Sequence, residues 1–255
     1  MLTHATGFHG RVWEPLARHL TSLHAWAPDL RGHGDSSSPG SGDFRWDGFA
    51  DDVLAVIDAL ELERPFAAGH SKGGAALLLA EQRRPGTFRG LYCYEPLVFP
   101  PGQGPPVDPA ANPLAAGAER RRATFASRDA AHENFSSKAP FDKLHPDALR
   151  AYVEHGFATQ SDGTVALKCR PADEAQVYRM AVHQHAFEHL GELTCPVTVA
   201  RGAVDPGVAS PAATAALIAE ALPHGTLEIF DKLGHFGPLE SPATVAAAIE
   251  RVTGR

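Results

Sequence analysis

Cysteine is scarce in this chain. Of 255 residues only three are cysteine, Cys93, Cys169 and Cys195, an odd number at wide spacings. That excludes a disulfide framework closing on all of them and gives no zinc-ligand pattern. Free thiols in a reducing, cytoplasmic compartment are expected. Excess positive charge is also absent. Against 30 Asp+Glu there are 23 Lys+Arg, a formal net charge of −7, which argues against a nucleic-acid partner. The one basic cluster, Glu119 to Phe125 (ERRRATF), reads as the solvated face of a helix. No apolar run approaches the roughly 20 residues a membrane helix needs. The opening MLTHATGFHGRVW lacks both the basic and the apolar region of a secretion signal. These absences leave a single-domain cytoplasmic enzyme with no membrane or nucleic-acid partner, long enough for one inserted subdomain, with a homodimer left open.

What is present is an alternation of short apolar strands and amphipathic helices. HGRVWEPLARHLTS carries Val12, Trp13, Leu16, Ala17 and Leu20 at helical spacing, and HAWAPDL reads as a strand. WDGFADDVLAVIDALEL puts Phe49, Val53, Val56, Ile57 and Leu60 on one helical face. RPFAAGHS is a strand, KGGAALLLAEQRR a buried helix ended by Pro85, and FRGLYCYEP another strand. CPVTVARG and GTLEIF read as later strands, each followed by a helix. This rhythm predicts an α/β fold, a mainly parallel sheet with helices on both faces. Residues 97–190 break it. A structureless loop of that length is implausible in a compact domain, so a mainly helical cap is expected there, with the core formed by 1–96 and 191–255.

The chemistry is concentrated in FAAGHSKGGAALLLA. Ser71 lies between Gly69 and Gly73 at ±2, where side chains would collide if a strand turned sharply into a helix. Such a turn strains the serine, lifts its hydroxyl above the sheet and aims a helix N-terminus at a developing oxyanion. A structural glycine corner is the bland alternative, and the strand-to-helix context favours the nucleophile. A base and an acid follow in the order this chemistry uses. Asp205 in VARGAVDPG is the expected acid and His235 in FDKLGHFGPLESP the expected base, both in loops past strands. Glu95, ending the strand in CYEPL, is the rival acid, with pocket lining its preferred role. Asp231 reads as a strand terminator. The oxyanion hole needs two backbone N–H groups, expected from Lys72 and from Thr6 in the loop THATGFHG.

These residues resemble the α/β-hydrolase superfamily, in its cap-bearing esterase, lactonase and C–C hydrolase branch. The match is carried by HATGF at 4–8, PDLRGHGDS at 28–36, GHSKGG at 69–74, RGAVDP at 201–206 and GHF at 234–236. It spans nearly the whole chain except the cap. The resemblance implies esterase-type chemistry through Ser71, Asp205 and His235. It disfavours subfamilies that use an aspartate nucleophile. Relatives place two strands and most of a third before the oxyanion loop, whereas only MLT precedes it here. The expectation is therefore that these strands are missing, and that the chain gains stability from natural upstream residues.

Weaker signals remain. His183, His185 and His189 in HQHAFEH suggest a metal, but on a helix only His185 and His189 share a face, so an exposed cap helix is the preferred reading. His33 reads as a turn residue. Phe8, Phe236, Trp13 and Trp46 could line an acyl pocket or simply fill the core. The Lys72 side chain either points to solvent or attracts a substrate carboxylate. The expected function is hydrolysis of a small-molecule carboxylic ester or lactone through an acyl-enzyme, with no cofactor and no metal. C–C bond hydrolysis in the same fold, or ligand binding without catalysis, are the alternatives.

Overall fold

The computed structural model describes residues 1–106, 108–204 and 210–254, and for Pro109 the backbone alone. Eight strands are assigned among them: β1 Leu2–Thr3, β2 Phe66–His70, β3 Gly90–Tyr94, β4 Thr124–Phe125, β5 Phe157–Thr159, β6 Val165–Leu167, β7 Val197–Arg201 and β8 Gly225–Ile229. Five form a wholly parallel sheet in the order β1-β2-β3-β7-β8. The pleat sorts its side chains. Ala67, Leu91, Cys93, Val197 and Val199 face one apolar core with Phe49, Val53, Leu77 and Ile218. Ala68, Tyr92, Tyr94 and Ala200 face the other, with Leu16, Val245 and Ile249. Burial on both faces is why these strands lack a polar alternation.

The helices Trp46–Ala59, Lys72–Arg83 and Pro211–Ala221 cover the first face and Pro242–Thr253 the second. Proline near the start of the last two fits the helical φ and forfeits only an amide that the first turn leaves free. Two expectations change. His24–Leu30 is not a strand; its segment makes one main-chain bond to the sheet, from the Leu2 N–H to the Trp26 carbonyl. A two-residue β1 is too short to template a longer neighbour. The first helix shrinks to a 3₁₀ turn, Gly10–Trp13, and one α turn, Glu14–Ala17.

Between β3 and β7 the chain builds the helices Pro113–Glu119, Arg128–Ser136, Pro146–Gly156 and Pro171–Met180. It also builds an antiparallel sheet, β4-β6-β5, which helical periodicity did not announce. Phe125, Phe157 and Val165 bury its inner face against Phe135 and Tyr152. Side-chain bonds tie this insertion to the rest of the molecule. The Trp46 indole donates to the Val177 carbonyl (3.0 Å), Ser38 Oγ to Asp173 Oδ2 (2.6 Å), and Lys168 pairs with Asp35 (2.6 Å). Among the described residues no helix is long and apolar enough to cross a membrane.

Candidate active site

Ser71 stands at the corner between β2 and the helix Lys72–Arg83, with φ 56° and ψ −119°. A non-glycine residue there is strained, and the crowding that holds it is explicit. A Cβ on Gly73 would lie 2.3 Å from the Thr3 carbonyl oxygen, and one on Gly69 2.6 Å from the Gly74 nitrogen. Both flanking positions must therefore be glycine for the corner to close. The Ser71 N–H is held by the Tyr94 carbonyl at 3.0 Å.

His235 sits between β8 and the last long helix. Its Nδ1–H donates to Glu95 Oε2 at 2.6 Å, and Glu95 Oε1 accepts from the Gly202 N–H at 2.8 Å. Glu95 follows β3 directly, is 1 % exposed and has φ 42°. Its own N–H donates to the Ala200 carbonyl. Glu95, the rival acid, thus stands beside the imidazole. Asp205 itself lies outside the described residues. Both carboxylates satisfy the chain order, so order alone could not choose between them. A strand end needs no long reach to meet the imidazole.

Two further residues hold the His235 loop. His70 Nε2–H donates to the His235 carbonyl (2.7 Å), and the Tyr94 hydroxyl donates to the Gly234 carbonyl (2.8 Å). Burial, then the neighbouring His235, holds His70 well below the ordinary histidine range, so it is the neutral Nε2–H tautomer. Neither role was read from the sequence. The only signal was position, immediately before the serine and immediately before Glu95.

The loop after β1 brings Thr6 and Gly7 to the same edge of the sheet. Among the described residues neither the Thr6 nor the Lys72 amide has a backbone acceptor. Phe8 stacks with Phe141 (5.7 Å between centroids) and tilts against Phe236 (5.4 Å) and Tyr152 (5.2 Å). The two expected pocket aromatics therefore meet, in one cluster joining this loop, the insertion and the His235 loop. Trp13 and Trp46 are buried core. Over Gly7 lies an ion pair from the insertion, Arg121 with Glu174, and Arg121 also donates to the Tyr152 hydroxyl (2.6 Å). A Cβ on Gly7 would meet Glu174 Oε1 at 2.6 Å. The insertion closes tightly here, leaving Ser71 3 % exposed. A cavity of about 740 Å³ opens beside Glu95 and His235, lined also by Lys143, Leu233 and Glu240, and Ser71 is not among its lining residues.

The remaining expectations fall differently. Among the described residues no three potential ligands cluster for a metal. The His185 region is a 3₁₀ helix, Ala186–Glu192, in which residues three apart align. His185 pairs with Glu188 (3.2 Å) and His189 with Glu192 (2.8 Å). His33 is fully buried, its Nδ1–H donating to the Arg31 carbonyl at 2.8 Å. Lys72 does not point to solvent: it is fully buried, with Nζ 4.3 Å from the centre of the Phe49 ring. The three cysteines are free and buried.

A parallel sheet with a serine on a strained strand-to-helix corner, and a carboxylate-held histidine at the same edge, defines a hydrolase architecture. A model described as "Alpha/beta hydrolase family" matches residues 1–248, and the chain belongs to that family. It is 36% identical to human monoglyceride lipase over 104 residues, 38% of this chain and 34% of that protein. It therefore spans about a third of the length of such curated relatives. To 2-hydroxymuconate semialdehyde hydrolase of Pseudomonas sp. strain CF600 it is 26% identical over 225 residues, 88% of this chain and 74% of that one. The crystal structure of E-2-(acetamidomethylene)succinate hydrolase shares the fold, with TM-score 0.84 and 23% identity over 100% of this chain and 90% of that one.

Proposed function

We propose that the chain is a serine hydrolase of small-molecule carboxylic esters or lactones, acting through Ser71, His235 and Glu95. The observation that carries this reading is the 2.6 Å bond from His235 Nδ1 to Glu95 Oε2, in a loop held by His70, the residue before a serine at φ 56°. With Nδ1 donating, Nε2 carries the lone pair that takes the Ser71 proton as the hydroxyl attacks the carbonyl carbon. The carbonyl π pair moves to oxygen, where the Thr6 and Lys72 N–H groups and the helix N-terminus stabilise it. Imidazolium then returns the proton to the departing alkoxide, giving alcohol and acyl-enzyme. Water, deprotonated by the same Nε2, releases the acid and restores Ser71. Glu95 keeps the tautomer and offsets the imidazolium charge. The insertion acts as a cap, and substrate entry requires it to move from above Ser71.

A fluorophosphonate probe tests the reading: a single adduct is expected on Ser71, lost in Ser71→Ala. Absence of labelling would leave a non-catalytic binder. The relative that covers 88% of this chain is named as a semialdehyde hydrolase, which favours C–C bond hydrolysis as a second reading. Turnover of short p-nitrophenyl esters against a dienol-diketone separates the two.

A further inference from the structure

Among the described residues, the buried side-chain polar atoms without a hydrogen-bond partner include Lys72 Nζ, His33 Nε2 and Thr6 Oγ1. They belong to the residue after Ser71, to the 28–36 loop and to the oxyanion loop. Lys72 and His33 are both fully buried and influence one another electrostatically, and Phe49 packs against both (4.3 Å from Lys72 Nζ, 6.2 Å between the His33 and Phe49 ring centres). A buried amine without partner or counter-ion is costly, and groups of this kind are normally satisfied.

Among the described residues no protein group supplies the missing charge. Asp29 accepts from the Gly10 N–H (2.6 Å) and the Asp35 N–H (2.7 Å). Asp52 is held by the Arg31 guanidinium (2.7 Å). Glu174 is paired with Arg121. His4 is committed at both nitrogens, to the Ala5 carbonyl (2.8 Å) and the Leu30 N–H (3.0 Å). His9 Nε2–H donates to the Tyr152 carbonyl (3.2 Å), and burial keeps this imidazole neutral. Cys169, reaching in from the cap, is a thiol whose pKa burial pushes up to about 12, so it supplies no negative charge. What faces Lys72 from the core, the 28–36 loop and the cap is thus neutral or already paired.

We infer that Lys72 Nζ is a substrate subsite that receives a carboxylate carried by the acyl part of the ester, with His33 and Thr6 as flanking polar contacts. This deepens the serine-hydrolase reading by naming its substrate class, acidic esters such as dicarboxylate half-esters. Lys72 follows Ser71 in the chain, so its side chain springs from the residue whose N–H is proposed to hold the oxyanion. The ligand carboxylate arrives charged, and the amine takes one proton from solvent to become its ammonium partner. Burial holds the free amine at about 7, so above neutrality that proton must be taken up on binding. A trapped water satisfying Lys72 and His33 is the competing account, and it requires neither a carboxylate nor a proton.

Two measurements decide between them. The first compares kcat/KM for p-nitrophenyl hemisuccinate and p-nitrophenyl valerate, in wild type and Lys72→Met. The wild type is expected to prefer the hemisuccinate at least tenfold, and the variant to lose that preference. An unchanged ratio would overturn the proposal. The second is calorimetry of succinate binding to the wild-type protein at pH 8 in buffers of different ionisation enthalpy. Uptake approaching one proton per succinate is expected, shrinking toward zero at pH 6. Absence of succinate binding, or binding with no uptake at pH 8, would overturn it as well. Succinate binding needs neither a folded Lys72→Met variant nor a reactive serine. Failure of fluorophosphonate labelling would therefore sink the catalytic reading and leave this one to the calorimeter.

Discussion

Replacing Lys72 by methionine is expected to stabilise the protein while impairing it. The amine is fully buried, among the described residues it makes no hydrogen bond and meets no free carboxylate, and burial lowers its pKa from 10.5 to about 7. The folded value lies below the unfolded one, so between these limits the unfolded chain binds more protons. Stability therefore rises with pH across that window, and the penalty is complete below about 7. Carried through in full, a fall of that size is worth roughly 4–5 kcal/mol; relaxation of the buried site brings the expected gain at pH 7 to about 2–4 kcal/mol. Methionine keeps the unbranched stem and sets a thioether on the Phe49 ring, so little packing is lost. For a chain of this size the gain corresponds to roughly 5–10 °C in Tm. Urea unfolding of both proteins at pH 7 and pH 9 is the assay, and the difference between them is the quantity of interest. The N-terminal amine and the buried thiols titrate in both proteins and cancel. A variant that is less stable than wild type, or a difference that does not shrink toward pH 9, would refute the reasoning.

The triad assignment predicts that Glu95→Gln lowers kcat by about 10³–10⁴-fold with substrate binding largely retained, whereas Asp205→Asn leaves kcat near the wild-type value; the reverse result would return the acid to Asp205. Gly73→Ala drives a Cβ to 2.3 Å from the Thr3 carbonyl oxygen. It should cost about 1–3 kcal/mol by urea unfolding and abolish fluorophosphonate labelling, because backbone must shift at the serine corner. His70→Ala removes the bond that holds the His235 carbonyl, and a displaced imidazole is expected to cost about 10–100-fold in kcat. Equal kcat in wild type and variant would show that Tyr94 alone fixes that loop. Arg121→Leu leaves Glu174 buried and unpaired and should destabilise by about 3–5 kcal/mol, with Arg121→Leu/Glu174→Leu recovering much of the loss. A double variant as unstable as the single would refute the pairing.

The residues legible in the sequence were those whose geometry is local. Ser71 and its two glycines form one corner within five residues, and the collisions that require glycine involve Thr3 and Gly74, close in space because β1 and β2 pair directly. The parallel sheet was legible for a similar reason, since each strand is apolar on both sides. The acid was not, because Glu95 and Asp205 differ in which strand end approaches the His235 loop. That depends on β3 lying beside β7 and on Gly202 offering its amide to Glu95, contacts more than 100 residues apart. Both readings of the Lys72 side chain stayed open, because no signal in the sequence shows that it is fully buried against Phe49. The β4-β6-β5 sheet escaped because strands of two or three residues carry no period to read.

Lys72 also bears on how an anionic substrate is tolerated at this site. Its backbone N–H is proposed to hold the oxyanion, and its side chain to hold the substrate's carboxylate. Without the ammonium, the tetrahedral intermediate of an acidic ester would place two negative charges around one helix N-terminus. Like charges so close and so well shielded from water raise the barrier as well as weaken binding. Pairing the carboxylate with a newly charged Lys72 removes that repulsion before the oxyanion forms. The methionine variant should therefore lose kcat, and not only KM, on p-nitrophenyl hemisuccinate, with a smaller change in kcat on the valerate ester. A loss confined to KM would mean that the ammonium anchors the carboxylate but leaves the oxyanion energy untouched, which would place the carboxylate farther from the reacting carbonyl than one acyl group allows.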